Sequence, residues 1–259
     1  MRTLNAIAII AFRDLTKLLR DRVRILASVM FPLIFIGILG GSLSANIGTS
    51  LGFNFLTFVF TGVFAQTFFQ SSAAGVISLV QDRENDFSQE LFIAPVSRYA
   101  IILGKILGET FVACVASIGV IALGLIIGIP LSAGALLRLF PAGLAASFLG
   151  GAFGILVLGN ISTQRTVGQI FPFILFPQIF LAGVFAPLSG APIMLRVLSH
   201  ITPLTYAVNL VRAAYYTGTP EFGAVTTLHP ALNMLILVVL FFLFLIPGTW
   251  LFVRKEQNR

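Results

Sequence analysis

Residues 100–129 read AIILGKILGETFVACVASIGVIALGLIIGI, a run whose only charged side chains are Lys105 and Glu109. A hydrocarbon core about 30 Å thick is crossed by around 20 apolar helical residues, so this run is long enough to span a bilayer. Hydrophobic residues make up 58% of the chain and charged residues 10%, against roughly 45–50% and about 25% in soluble domains. The sequence therefore predicts an integral membrane protein.

Six apolar runs predict an all-α protein in which the 259 residues form one transmembrane domain. The lone Cys114 permits no intramolecular disulfide. An even number of spans places both termini on one side of the membrane. The predicted spans are 25–44, 53–80, 100–129, 139–159, 167–187 and 230–253.

The distribution of Lys and Arg orients these spans. With both termini in the cytoplasm, 13 of the 16 basic residues lie on that side, and only Arg138, Arg196 and Arg212 lie outside. Cytoplasmic loops of membrane proteins carry such an excess. The net charge of +7 therefore reflects topology, and no nucleic-acid partner is expected.

Two further segments have amphipathic patterns. Residues 1–24 predict a helix in the membrane interface, with a charged extension of the first span as the alternative. Residues 188–216 contain two short apolar pieces, 193–201 and 204–216, separated by the helix-breaking Pro203. They predict two short helices that either re-enter the outer leaflet or form a surface hairpin.

Small residues recur in the fourth run, where Gly143, Ser147 and Gly151 are spaced by four. Small side chains allow helices to approach closely in lipid. The fourth helix is therefore predicted to be buried among the others.

The sequence contains no phosphate-binding GxxxxGK[ST] motif and no recognisable catalytic or metal-binding pattern, so no enzyme activity or cofactor on this chain is expected. Glu109 is the only acidic residue inside a predicted span, and we expect it to pair with Lys105 one helical turn away. Ion-coupled transport is therefore poorly supported. Energy for uphill transport would have to enter from another subunit.

The stretch QDRENDFSQELFIAPVSR, residues 81–98, concentrates acidic residues between two apolar runs. Residues 82–94 predict a short helix that stops at Pro95 and presents Phe87 and Leu91 on one face, with Glu84 and Glu90 beside it. An apolar face with a charged border suits a helix that docks into a groove of a partner. A solvated loop is the alternative.

The pattern DREND.SQELFIAPVSRYAIILGKILGE, the amphipathic start, the six spans and VFAPLSGAP…L..ITPLTYAVNLVR resemble the permease subunit of type-2 ATP-binding-cassette exporters, particularly the daunorubicin-resistance and lipooligosaccharide-export branches. The resemblance implies a homodimer or heterodimer of permeases bound to two separate ATPase subunits, which hold ATP and Mg. It also implies re-entrant outer helices and a coupling helix at 82–94, whose coupling residues are Arg83, Glu84, Asp86, Phe87, Glu90 and Leu91.

These observations predict an exporter of hydrophobic or amphipathic drugs or lipid-like molecules in the cytoplasmic membrane of a bacterium or archaeon. The 26 phenylalanines favour an apolar passage. The predicted substrate-lining residues are Gln66, Phe69, Gln70, Phe176, Gln178 and Phe180. A polysaccharide or lipooligosaccharide permease, an ATP-independent channel or carrier, and a membrane scaffold are the alternatives.

Overall fold

The computed structural model describes residues 2–21, 26, 30, 32–41, 52–75, 77–84, 97–157, 161, 163–188 and 190–257. In these residues all regular secondary structure is helical. The helices are α1 (Arg2–Arg20), the π-helical α2 (Leu33–Gly40), α3 (Phe55–Gly75), α4 (Ile77–Glu84), α5 (Arg98–Ile126), α6 (Ala133–Val157), α7 (Gln164–Leu181), α8 (Ile193–Ile201), α9 (Pro203–Tyr216), α10 (Phe222–Val225) and α11 (Pro230–Gln257).

Four stretches in the described part of the chain are long and apolar enough to cross a membrane: Phe55–Val80, Arg98–Ile126, Ala133–Val157 and Phe222–Lys255. They correspond to the predicted second, third, fourth and sixth spans. Of the predicted first span, 25–44, the structure describes only residues 26, 30 and 32–41, which include the π-helix α2. The six-span count therefore stays a prediction.

Helix α7 covers most of the predicted fifth span but is not among these four. Its 18 residues reach about 27 Å, slightly less than the hydrocarbon core. It also contains Pro172 and Pro177, and it ends at Leu181, six residues before the predicted boundary. Glutamines and an arginine lower its hydropathy further.

Helix α3 forms the centre of the helical bundle. The rings of Phe58, Phe60, Phe64, Phe68 and Phe69 are all buried. They fill the space between α3 and its neighbours, with α6 making the most extensive contact. Many of the phenylalanines that the sequence assigns to an apolar passage are thus core residues.

Glycines in α6 allow this contact to be close. A Cβ atom at Gly150 would lie 2.1 Å from the backbone oxygen of Phe69, and one at Gly143 would lie 2.7 Å from the Phe68 ring. Ser147, on the same stripe, is 2.8 Å from the hydroxyl of Thr110 in α5. The predicted burial of the fourth helix is confirmed.

Helix α1 packs along α5, where Gly104 and Gly108 admit its backbone. Between the two helices, Lys105 Nζ lies 2.7 Å from Asp14 Oδ2, and both side chains are only 2% exposed. The opposite surface of α1 exposes Ile9 and Phe12. Helix α1 therefore has one side fixed to α5 by a buried ion pair and an exposed apolar surface on the other side.

The bundle has two chemically different ends. At the α4 end, a small apolar cluster joins Leu79 and Val80 to residues of α5, α6, α7 and α11. At the α9 end, hydrogen bonds connect α9 to its neighbours: Tyr215 donates to the Pro130 oxygen over 2.9 Å, and Arg138 Nε donates to the Ala214 oxygen over 2.9 Å. The short helices α8, α9 and α10 all lie at this second end.

We predict that Gly150→Ala destabilises the protein, because the new Cβ would overlap the backbone of α3 and force the helices apart at a cost of about 1–3 kcal/mol. Thermal unfolding of the purified protein in detergent measures this loss. Gly168→Ala is the matched control, since a Cβ there meets nothing within 4 Å and alanine favours a helix by about 1 kcal/mol. Equal unfolding midpoints for the two variants would contradict the α3–α6 geometry.

We also predict that Asp14→Asn and Lys105→Met are not additive, because each removes the partner of a buried charge. The double variant should lose less stability than the two single variants together, by about 0.5–3 kcal/mol. The control pairs Lys105→Met with Asp21→Asn, which lies about 10 Å further along the chain direction of α1. Additive losses for Asp14 and Lys105 would show that the two groups do not interact.

Candidate functional site

The predicted coupling helix, 82–94, begins within α4. Arg83 and Glu84 belong to the last turn of α4, whereas Asp86, Phe87, Glu90 and Leu91 lie outside the described residues. The backbone therefore supports a helical start for this segment, and the roles of its side chains stay predictions.

The helices that flank this segment, α4 and α5, are both anchored in the bundle. On one side, Leu79 and Val80 of α4 are buried in the same cluster as Ile102 of α5. On the other side, α5 begins at the N-cap Ser97, whose hydroxyl accepts a hydrogen bond of 3.2 Å from the Ala100 amide. The helices on both sides of the segment are therefore fixed in the bundle.

Charged residues are buried close to the α4 end of the bundle. Lys105 reaches Asp14 on α1, while the buried Glu109 lies against the end of α3, where a Cβ at Gly75 would be 1.9 Å from Glu109 Cγ. The sequence pairs Lys105 with Glu109 and overlooks Asp14. The position of Asp14 in the sequence could have indicated this role. It follows Ile10 and Ala11 by one helical turn and therefore lies on the same, buried side of α1.

These carboxylates do not form a metal site. In the part of the chain that the structure describes, no group of three or more His, Cys, Asp or Glu side chains is placed to hold an ion. The buried charges instead connect helices, since α5 contacts α1 through Lys105 and α3 through Glu109.

The structure brings together some of the predicted substrate-lining residues. Gln70 and Phe176 line one groove of about 70 Å³ between α3 and α7, with Phe171, Pro172, Leu175 and Ile179 as its other walls. Gln66 lies one turn before Gln70 in α3, and its Nε2 donates a hydrogen bond of 3.0 Å to Gln70 Oε1. This amide pair places polar groups beside an otherwise apolar groove.

The other three predicted residues lie elsewhere. Phe69 is fully buried and its ring centroid is 5.7 Å from that of Phe153. Gln178 is buried, and its Nε2 donates to the backbone oxygen of Ile174 over 3.3 Å. Phe180 is 63% exposed on the outer face of α7, so none of the three lines the groove.

Helix α7 leaves an aromatic face uncovered by the described residues. Phe173, Phe176 and Phe180 follow a helical spacing of three and four, and Phe173 is 82% exposed. A continuous apolar face of this kind marks contact with lipid, another subunit or a ligand. Phe176 belongs to this face and also lines the groove that contains Gln70, so the aromatic face begins at the edge of the groove.

Comparison with known proteins identifies the family. The family described as ABC-2 type transporter matches residues 5–216. The "Putative transport permease ycf38" of Cyanophora paradoxa is 26% identical over 204 residues, which cover 77% of this chain and 70% of that protein. The "Inner membrane transport permease YadH" of Escherichia coli (strain K12) is 25% identical over 191 residues, 73% of this chain and 74% of that protein.

A third relative carries a more specific description. The "Probable multidrug ABC transporter permease YbhR" of Escherichia coli (strain K12) is 28% identical over 142 residues. The match covers 54% of this chain and only 38% of that longer protein. With its membrane-spanning helices and a family match over most of its length, the chain is a multi-pass membrane protein that belongs to the ABC-2 type transporter family.

Proposed function

We propose that this protein is the membrane subunit of an ATP-driven exporter. It would pair with a second permease protomer and with two copies of a separate ATPase, which bind ATP and Mg, and it would move a hydrophobic or amphipathic drug or lipid-like substrate out of the cytoplasm or the inner leaflet. The observation that carries the proposal is the anchoring of both helices that flank the acidic segment: α4 and α5 share an apolar cluster around Val80 and Ile102, and α5 is bound to α1 by the Asp14–Lys105 pair.

This arrangement gives an external force a defined route into the membrane helices. A partner that displaces the segment 85–96 would move α4 and α5, which share the cluster around Val80 and Ile102. Helix α1 would follow α5 because of the Asp14–Lys105 pair. Helix α3 would follow α4, since only residue 76 separates them, and α3 carries Gln70 into the groove.

The proposed orientation follows from the distribution of charge. The α4 end, with α1 and the acidic segment, would face the cytoplasm, and α8 to α10 would lie at the outer surface. Six spans would then include α7 and the first apolar run. The membrane would be the cytoplasmic membrane of a bacterium or archaeon, in line with the description of one relative as an inner membrane permease.

The uncovered aromatic face of α7 suits the centre of a two-protomer transporter. Phe176 is exposed and lines the groove together with Gln70, which is hydrogen-bonded to Gln66, and Phe173 is exposed on the same side of α7. A pathway bordered by these groups would offer apolar walls and a few hydrogen-bonding amides, which is the composition expected of a site for amphipathic small molecules. The description of YbhR as a multidrug permease supports the same substrate class.

We predict that Asp86→Ala combined with Phe87→Ala releases the ATPase and abolishes ATP-dependent export, because the double variant removes an acid and the apolar knob of the docking face. Affinity capture of the tagged chain, expressed together with the proposed ATPase subunit, measures retention of the partner.

The matched control is Ser88→Ala with Gln89→Ala, which changes two residues of the same segment away from the Phe87 and Leu91 face. It should retain the ATPase and export. Normal capture and normal transport in the Asp86 and Phe87 double variant would refute the coupling role of this segment.

We predict that Phe176→Ala impairs export of an amphipathic drug, because it removes an aromatic wall of the groove beside Gln70. Cells that express the complete transporter should accumulate several times more daunorubicin when they carry Phe176→Ala than with the unmodified chain. Ile118→Ala is the control, since Ile118 is exposed on α5 and does not line the groove.

The same experiment separates the rival functions. Equal daunorubicin accumulation in cells without the transporter, with the unmodified transporter and with the Phe176 variant would count against drug export. That result would favour a polysaccharide or lipooligosaccharide substrate. Export by the purified chain in vesicles without any ATPase would identify an ATP-independent carrier and overturn the proposal.

A further inference from the structure

A cavity of about 260 Å³ opens at the α9 end of the bundle, between the end of α7 and the helices α8, α9 and α10. Phe58 at the start of α3 and Thr227 just before α11 also line it. Two of its lining residues, Arg196 and Arg212, are cationic, and none is acidic. The cavity therefore presents positive charge to a ligand.

Arg212 is held rigidly in the wall of this cavity. Its guanidinium carbon lies 3.5 Å from the centroid of the Phe58 ring. Its Nη2 donates hydrogen bonds to the backbone oxygens of Gly183, over 2.7 Å, and Val184, over 3.3 Å. The side chain is only 4% exposed. Cation–π stacking and two carbonyl acceptors thus fix the plane of the guanidinium before any ligand arrives.

Part of the guanidinium has no acceptor. Both hydrogen bonds leave from Nη2, so among the residues that the structure describes Nε and Nη1 have no hydrogen-bond partner. In the same part of the chain no carboxylate forms an ion pair with Arg212. An arginine keeps its charge inside a protein, and a buried charge without a counterion is costly. The site is chemically incomplete without an anion.

Helix α8 shows from which side such an anion would come. Its apolar residues Ile193, Met194 and Ile201 are exposed on the surface of the protein, while Arg196 and His200 line the cavity. In a membrane protein a helix with this division lies against acyl chains on its apolar side. The polar side of α8 then borders the cavity within reach of lipid headgroups.

We propose that this cavity binds the anionic headgroup of a membrane lipid, whose phosphate oxygen accepts a hydrogen bond from Arg212 Nη1 while its acyl chains lie along α8. Sites that enclose drug-sized ligands have volumes of about 300–1,000 Å³, and this cavity is smaller. It therefore fits a headgroup and leaves the acyl chains outside. Binding of this lipid requires the bilayer but neither ATP nor transport, so the proposal is independent of the exporter function.

The experiment reconstitutes the full chain in nanodiscs that contain equal amounts of dioleoylphosphatidylglycerol and dioleoylphosphatidylcholine. Native mass spectrometry of the released protein then counts the phosphatidylglycerol that stays bound. We expect Arg212→Gln to lower its occupancy at least about tenfold, since a hydrogen bond to a charged group contributes roughly 1.5–3 kcal/mol. Arg165→Gln removes the same charge from an exposed residue in the first turn of α7, away from the cavity, and should leave the occupancy unchanged.

A second variant covers the case in which Arg212→Gln does not fold. Ala224 is exposed at the edge of the cavity, so Ala224→Trp should close the opening without altering the guanidinium, and it should lower phosphatidylglycerol occupancy to a similar extent. Unchanged occupancy in the Ala224 variant would overturn the proposal. Complete displacement of the lipid by excess inorganic phosphate would also overturn it, because the site would then select a free anion.

Discussion

The close contact between α3 and α6 is the interaction on which the rest of the bundle depends. Gly150 brings the backbone of α6 against the Phe69 carbonyl, and no side chain other than hydrogen fits between them. Lipid tails are as apolar as the side chains, so helices in a membrane associate through close packing rather than through the hydrophobic effect. With these two helices in contact, the phenylalanines of α3 have fixed surfaces to fill, and α5, α9 and α11 complete the core around them.

Helix α3 also joins the two polar regions of the protein. Near its beginning, the Phe58 ring supports the Arg212 guanidinium, and at its last residue Gly75 lies against Glu109. About 26 Å of helix separates these points. In the proposed transporter, α3 would connect the two surfaces, because it has the necessary length, burial and contacts. Its fixed packing against α6 makes it a rigid connector.

Buried charge is used differently at the two ends. Asp14 and Lys105 neutralise each other, and the small residues Gly104 and Gly108 let their helices approach closely enough for the pair to be excluded from solvent. Arg212 has carbonyl acceptors and an aromatic ring but no carboxylate among the described residues. The first arrangement suits a permanent connection between helices, because both charges are satisfied internally. The second leaves a cation ready for an external anion.

The sequence by itself determined the membrane class, the positions of the long apolar helices and the burial of the glycine-rich helix, because apolar length and small-residue spacing are local properties. It also marked the short helices around Pro203, since a proline interrupts a helix wherever it occurs. Of the residues that it grouped as substrate-lining, Gln70 and Phe176 line one groove and Gln66 is hydrogen-bonded to Gln70. Phe69 and Gln178 point elsewhere, because the packing of the helices sets their rotation and so the direction of each side chain.

The pairing of Asp14 with Lys105 and the placement of Arg212 beneath the end of α7 were decided by tertiary structure alone, because each joins residues distant in the chain through contacts between helices that no local pattern encodes.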